Sequence, residues 1–136
     1  MKYKFVSHTA DIKFFSYGKT LEEVFENSAY ALTYSILNKK THGSRKIKFN
    51  IKGIDFENLM YNFLEEFIFL FDSKNLILSK ISFLKIDKKK FTLQAEAFFD
   101  DGKNYKNLFS IKAVTYNEME IQKKSGKWSA RIVLDI

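Results

Sequence analysis

Hydrophobic and polar positions change period several times along the chain, and each change marks an element. Tyr3 to Val6 and Lys13 to Tyr17 read as two short strands flanking His8-Thr9-Ala10-Asp11, with Gly18 ending the second. Thr20-Leu21-Glu22-Glu23 has the form of a capping box, in which the threonine hydroxyl accepts from the amide of the glutamate and the glutamate reaches back to the cap amide. A helix starts there, and Leu21, Val24, Phe25, Ser28, Ala29, Leu32 and Ile36 follow at helical spacing as far as Asn38. The polar run Lys39-Lys40-Thr41-His42-Gly43-Ser44 breaks the period.

Lys46 to Lys52 alternates strictly, so Ile47, Phe49 and Ile51 share one face of a half-buried strand that Gly53 closes. Asp55 can cap a second helix, where Leu59, Met60, Phe63, Leu64, Phe67, Leu70 and Phe71 form a wide apolar stripe up to Asp72. From Leu76 onward the pattern is extended. Ile77 to Ile86 and Phe91 to Phe99 are β-rich and are joined by Asp87-Lys88-Lys89-Lys90. Asp100-Asp101-Gly102-Lys103-Asn104 is a turn cluster, Ile111 to Gln122 alternates, and Ser125-Gly126 supplies a tight turn before a last strand from Trp128 to Leu134. There is no proline, so reversals rest on Gly, Asn, Asp and Ser.

Two strands, a helix, a strand, a helix and then a run of strands do not make an alternating βα fold. The order predicts an α+β two-layer sandwich in which both helices cover one face of a mostly antiparallel sheet. With 136 residues and 46% hydrophobic content, a single domain spanning 1–136 is expected.

The absence of cysteine removes disulfides, thiolate zinc sites and cysteine nucleophiles. Met1-Lys2-Tyr3-Lys4-Phe5 mixes charge with apolar residues, unlike a signal peptide, and no segment has the length and apolarity of a membrane span, so a cytoplasmic protein is expected. A net charge of +7 invites contact with nucleic acid. Yet among 23 basic residues only Arg45 and Arg131 are arginines, the residue suited to bidentate phosphate recognition. The lysine clusters at 39–40 and 88–90 fall in loops, where solvated turns account for them. Most of the 15 phenylalanines fall at core spacing rather than as a base-stacking platform.

Classical catalysis has little to work with. His8 and His42 are the only histidines, His42 sits in a solvated loop, and the five glycines stand singly beside turns rather than in a phosphate-binding loop. Glu22-Glu23 and Glu65-Glu66 are paired acids on helices, with Glu65 close to the apolar stripe. Leu134-Asp135-Ile136 is different, because an aspartate beside a main-chain carboxylate puts two negative charges side by side at neutral pH. A third acid would complete an oxygen cage for a hard cation, and Asp11 is the candidate. Spacing alone favours a structural role, with Asp11 capping a turn through its own backbone and His8 satisfying a buried carbonyl.

Four segments taken together resemble the archease family: His8-Thr9-Ala10-Asp11, then Gly18 to Phe25, then Lys112-Ala113-Val114-Thr115-Tyr116, and finally Val133-Leu134-Asp135-Ile136. Leu64-Glu65-Glu66 and Leu70-Phe71-Asp72 fit the same pattern. The resemblance spans essentially the whole chain. It implies a cytoplasmic, non-enzymatic protein that activates the GTP-dependent RtcB-type tRNA-splicing RNA ligase by promoting its guanylylation and repeated turnover. It also implies a divalent cation held by Asp11, Asp135 and the carboxylate of Ile136, with Ca²⁺ favoured over Mg²⁺ because irregular oxygen cages suit the larger ion. His8, Thr9, Lys112 and Asp100 are then partner-facing or site-orienting residues. The chain departs from the family pattern at Asn117, where a histidine is common, and at Phe98-Phe99-Asp100-Asp101, where Gly-Glu and a later histidine are common. Two other readings remain at this level: a chaperone-like modulator of RNA-processing enzymes such as a tRNA methyltransferase, and a basic RNA-binding module.

Overall fold

A computed structural model of the chain describes residues 1–6 and 10–136. Seven strands and two long helices run in the order β1 (Tyr3–Val6), β2 (Ile12–Gly18), α1 (Leu21–Ile36), β3 (Arg45–Lys52), α2 (Phe56–Lys74), β4 (Leu76–Asp87), β5 (Thr92–Asp101), β6 (Ala113–Lys124) and β7 (Lys127–Asp135). A single 3-10 turn, Gly102–Asn104, follows β5. The α+β class holds, with every strand pairing antiparallel. The strands divide into two sheets, ordered β1-β2-β7-β6 and β3-β5-β4, and each helix touches strands of both. One cluster of buried side chains runs through both sheets and both helices.

Local chemistry sets the helix ends. The Thr20 hydroxyl accepts from the Glu23 amide at 3.1 Å and the Glu23 carboxylate receives the Lys19 amide at 3.4 Å, which begins α1. Asp55 accepts from the Asn58 amide at 2.7 Å and begins α2, which Asn75 ends in the left-handed conformation at φ 54°. The polar residues within the apolar stripe of α1 dock it onto β2. Ser28 donates to the Val24 carbonyl at 2.8 Å, so its one proton is spent, and Ser16 must be the donor in the buried 2.6 Å contact between the two hydroxyls. Asn27 donates to the Tyr17 carbonyl at 2.7 Å.

Aromatic packing joins α2 to the smaller sheet. Phe63 and Phe67 lie 6.3 and 5.5 Å from Phe49 of β3, and Phe67 lies 6.0 Å from Phe99 of β5. Phe14, Phe25, Phe63 and Phe99 are almost fully buried, each worth about 1.5–3 kcal/mol of transfer free energy. Two elements extend further than the pattern indicates: helix α2 runs to Lys74, and strand β5 carries on through Asp100 and Asp101, which form the strand's end rather than a turn. They do so because β4 supplies partners for both, Ile77 for Asp100 and Leu76 for Asp101. No helix among the described residues is long and apolar enough to cross a membrane.

The loop between α1 and β3 is tied down rather than loose. Thr41 donates to the Leu78 carbonyl at 3.1 Å, and the Gly43 amide donates to Ser79 Oγ at 2.7 Å. Gly43 presses so closely on β5 that a Cβ there would lie 2.0 Å from the Phe99 carbonyl carbon. Gly43→Ala is therefore expected to cost about 1–3 kcal/mol, the usual penalty of overpacking against backbone, read as a lower urea midpoint at unchanged slope.

Candidate functional site

The first hairpin and the last strand meet. Residues 12 to 18 of β2 pair with 134 to 128 of β7, beginning with Ile12 opposite Leu134. The pairing ends there, with Asp11 immediately before β2 and Asp135 the last residue of β7. Leu134 is fully buried, and strand alternation turns the neighbouring Asp135 to the other face, where it is half-buried. Asp11 is exposed immediately before β2, and Ile136 is exposed immediately after β7. On the other side of β7, β6 pairs Ala113 with Asp135, and the Lys112 amide donates to the Asp135 carbonyl at 2.8 Å. The Lys112 side chain is exposed. Asp135 is thus held between the strand that follows Asp11 and the one that follows Lys112.

His8 and Thr9 lie outside the described residues. Asp100 belongs to the other sheet, where its carboxylate receives the Tyr105 hydroxyl, Asn104 Nδ2 at 2.9 Å, the Asp101 amide at 2.8 Å and the His42 amide at 3.4 Å. The Tyr105 hydroxyl foremost, with these other donors, holds the carboxyl of Asp100 below the ordinary range. Asp100 organises the turn after β5 and the loop at His42, and the structure does not place it with Asp135.

Chemically, two aspartates and a main-chain carboxylate offer only oxygen donors, a set suited to a hard divalent cation rather than to zinc or copper. Among the described residues no three Asp, Glu or His side chains gather as a metal site. Lys13, two residues after Asp11, would compete for these acids, but its ammonium is already committed to Glu118 at 2.7 Å.

Comparison with known proteins follows the same geometry from end to end. The model of the Archease protein family (MTH1598/TM1083) matches residues 3–136. This chain belongs to the archease family. The archease of Methanosarcina mazei is 36% identical over 140 residues, covering 99% of this chain and 96% of that protein. The archease of Pyrococcus furiosus is 38% identical over 135 residues, covering 95% and 94%. The solution structure of Methanobacterium thermoautotrophicum protein 1598 superposes with a TM-score of 0.84 at 32% identity, covering 99% of both chains. The crystal structure of a Thermotoga maritima archease, described as a possible chaperone, shares the fold at a TM-score of 0.67 and 19% identity, covering 98% and 96%.

Several residues of this archease's candidate site were not visible in the hydrophobic pattern. Between Thr115 and Glu120 the β6 register slips against β7, so residues 116–119 bulge where strict alternation was expected. Glu118 takes a left-handed φ of 56°, its carbonyl receives Arg131 Nε at 2.7 Å, and its carboxyl is held low chiefly by the hydrogen bond from Lys13. Asn117 is exposed within the bulge. Tyr116 stacks on Tyr61 of α2 at 4.4 Å, and its hydroxyl accepts from Asn58 at 2.8 Å. Glu65, expected near the stripe, accepts the Val114 amide at 2.7 Å. β6 is the edge of its sheet, so this amide points away from β7, and the α2 carboxylate satisfies a donor that would otherwise be orphaned beside the core.

Two outcomes are expected. Glu65→Ala should speed hydrogen exchange of the Val114 amide by about tenfold and cost about 1–2 kcal/mol, whereas Glu65→Gln, which keeps an acceptor oxygen, should lose much less. The depressed Asp100 pKa favours folding above the unfolded carboxylate value of about 3.9, and that contribution disappears as pH falls through the lower folded value. Urea melts between pH 6 and pH 3 should therefore show a shallower acid loss in Asp100→Asn than in the wild type.

Proposed function

We propose that this archease binds a hard divalent cation, Ca²⁺ in preference to Mg²⁺, through Asp11, Asp135 and the carboxylate of Ile136. With that tip it activates an RtcB-type RNA ligase, acting as a non-enzymatic partner. The observation that supports the reading is the β2–β7 register, which pairs Ile12 with Leu134, the neighbours of Asp11 and Asp135. Carboxylates brought close together repel one another, and a bound cation would offset that repulsion. When bound, the cation supplies a compact positive charge able to balance phosphate charge on a partner's nucleotide.

The chain's own residues do the positioning. The Lys112 amide fixes the Asp135 carbonyl, Glu65 fixes Val114 two residues further along β6, and the Lys13–Glu118 pair holds the bulge beside them. Asp135 is therefore held by strand pairing, with Asp11 just before β2 and Ile136 just after β7. That arrangement suits contact with a partner protein that needs a guanylylated centre recharged between turnovers.

Calorimetric titration of untagged protein with Ca²⁺ and with Mg²⁺ tests the site directly. One site is expected, tighter for Ca²⁺, and Asp11→Asn, Asp135→Asn or one residue added after Ile136 should each weaken it by about tenfold or more. In a multiple-turnover ligation assay with a cognate ligase, the same three variants should lose stimulation. Unchanged cation affinity and full stimulation in both aspartate variants would overturn the reading.

A further inference from the structure

The lysines that are scattered in sequence converge in space at the end of the molecule opposite Asp135. Two hairpin turns meet there around Trp128. Lys88, from the turn joining β4 to β5, places its ammonium 5.6 Å from the indole centre, and Lys123, near the end of β6 and paired with Trp128 across the ladder, lies 5.8 Å from it. Lys89 and Lys90 flank the first, Lys124 and Lys127 pair across the second turn, and all six are exposed. None of the six makes an ion pair among the described residues.

The acids of this region are already engaged. Asp87 receives the Lys89 and Lys90 amides at 2.9 and 3.1 Å, Glu22 receives the Ile86 amide at 3.3 Å, and Glu23 closes the cap of α1. A cavity of about 520 Å³ opens beside Trp128, edged by Lys19, Lys124 and Lys127 with Glu23 as its one acid. Trp128 itself is held edge-on by Phe56 at 6.3 Å, so the indole is a post that the two lysines lean on.

We infer that this tip is a docking surface for RNA, gripped through its phosphate backbone. Lysines without arginines, converging from two turns onto one face, attract phosphate charge without reading base edges. The choice of RNA over another polyanion rests on the reading above, in which the partner enzyme joins RNA ends. Lys127 and Asp135 stand at the two ends of β7, about 26 Å apart at roughly 3.3 Å per residue. The acidic tip and the basic tip thus face away from each other and can engage an enzyme and its RNA at once.

Fluorescence anisotropy with labelled tRNA and with an unrelated RNA hairpin, at 50 to 200 mM KCl, tests this without any ligase. Expected are comparable affinities for the two RNAs and a log-log salt slope of about −3 to −5, as four to six phosphate contacts require. Lys88→Glu/Lys123→Glu/Lys127→Glu should weaken binding at least about tenfold, while Lys46→Glu/Lys48→Glu, on β3, should change it less than about threefold. Circular dichroism would verify that both variants stay folded. Equal loss in both variants, a flat salt response, or displacement of RNA by polyglutamate at equal charge concentration would each overturn the inference. Asp135→Asn should bind RNA as the wild type does, so failure of the cation site and failure of this surface are separately visible.

Discussion

The pairing of β2 with β7 is the constraint on which the rest of the molecule depends. It joins residues more than a hundred positions apart, and β7 lies between β2 and β6, so its loss would leave both neighbours as bare edges. Loop closure over such a span is affordable, since each doubling of length adds only about 0.6 kcal/mol. What offsets it is the inner face of the ladder, where Phe14 opposes Ile132 and both are fully buried.

Helix α2 is the second element of the argument, because it ties two sheets that share no strand. One side of it presents Phe63 and Phe67 to the rings of β3 and β5. Another presents Glu65 to the edge of β6, Tyr61 to Tyr116, and Phe56 to Trp128. The same helix therefore braces the segment that carries Lys112 and Val114 at one end and the tryptophan of the lysine tip at the other. A displacement of α2 would disturb both ends together.

Much of this was legible from spacing. The capping residues Thr20 and Asp55 and both apolar stripes mark the helices, and Ser125-Gly126 marks a turn whose two residues take φ of 52° and 75°. The terminal aspartate and Asp11 were visible as candidate ligands, and the β2–β7 pairing brings their neighbours Ile12 and Leu134 opposite each other. The division into two sheets was not legible, since alternation reports which face of a strand is buried and not which strand lies beside it. The bulge at 116–119 was hidden for a related reason: a local slip leaves the alternation on either side intact. The lysine tip was hidden because its members lie in two turns separated by more than thirty residues, each of which reads as an ordinary solvated loop.

Net charge takes on a different meaning once its distribution is known. A formal +7 spread evenly would repel the partner's RNA nowhere and favour it everywhere, giving weak contact in no preferred orientation. Here six lysines without an ion pair among the described residues stand at the end of β7 that begins with Lys127, and Asp135 closes the other end. An RNA held at the Lys127 end would lie a strand length from Asp135, so the surface proposed to meet the ligase would stay clear of the phosphates. The geometry of a single strand thereby couples two electrostatic tasks that a uniform surface could not separate.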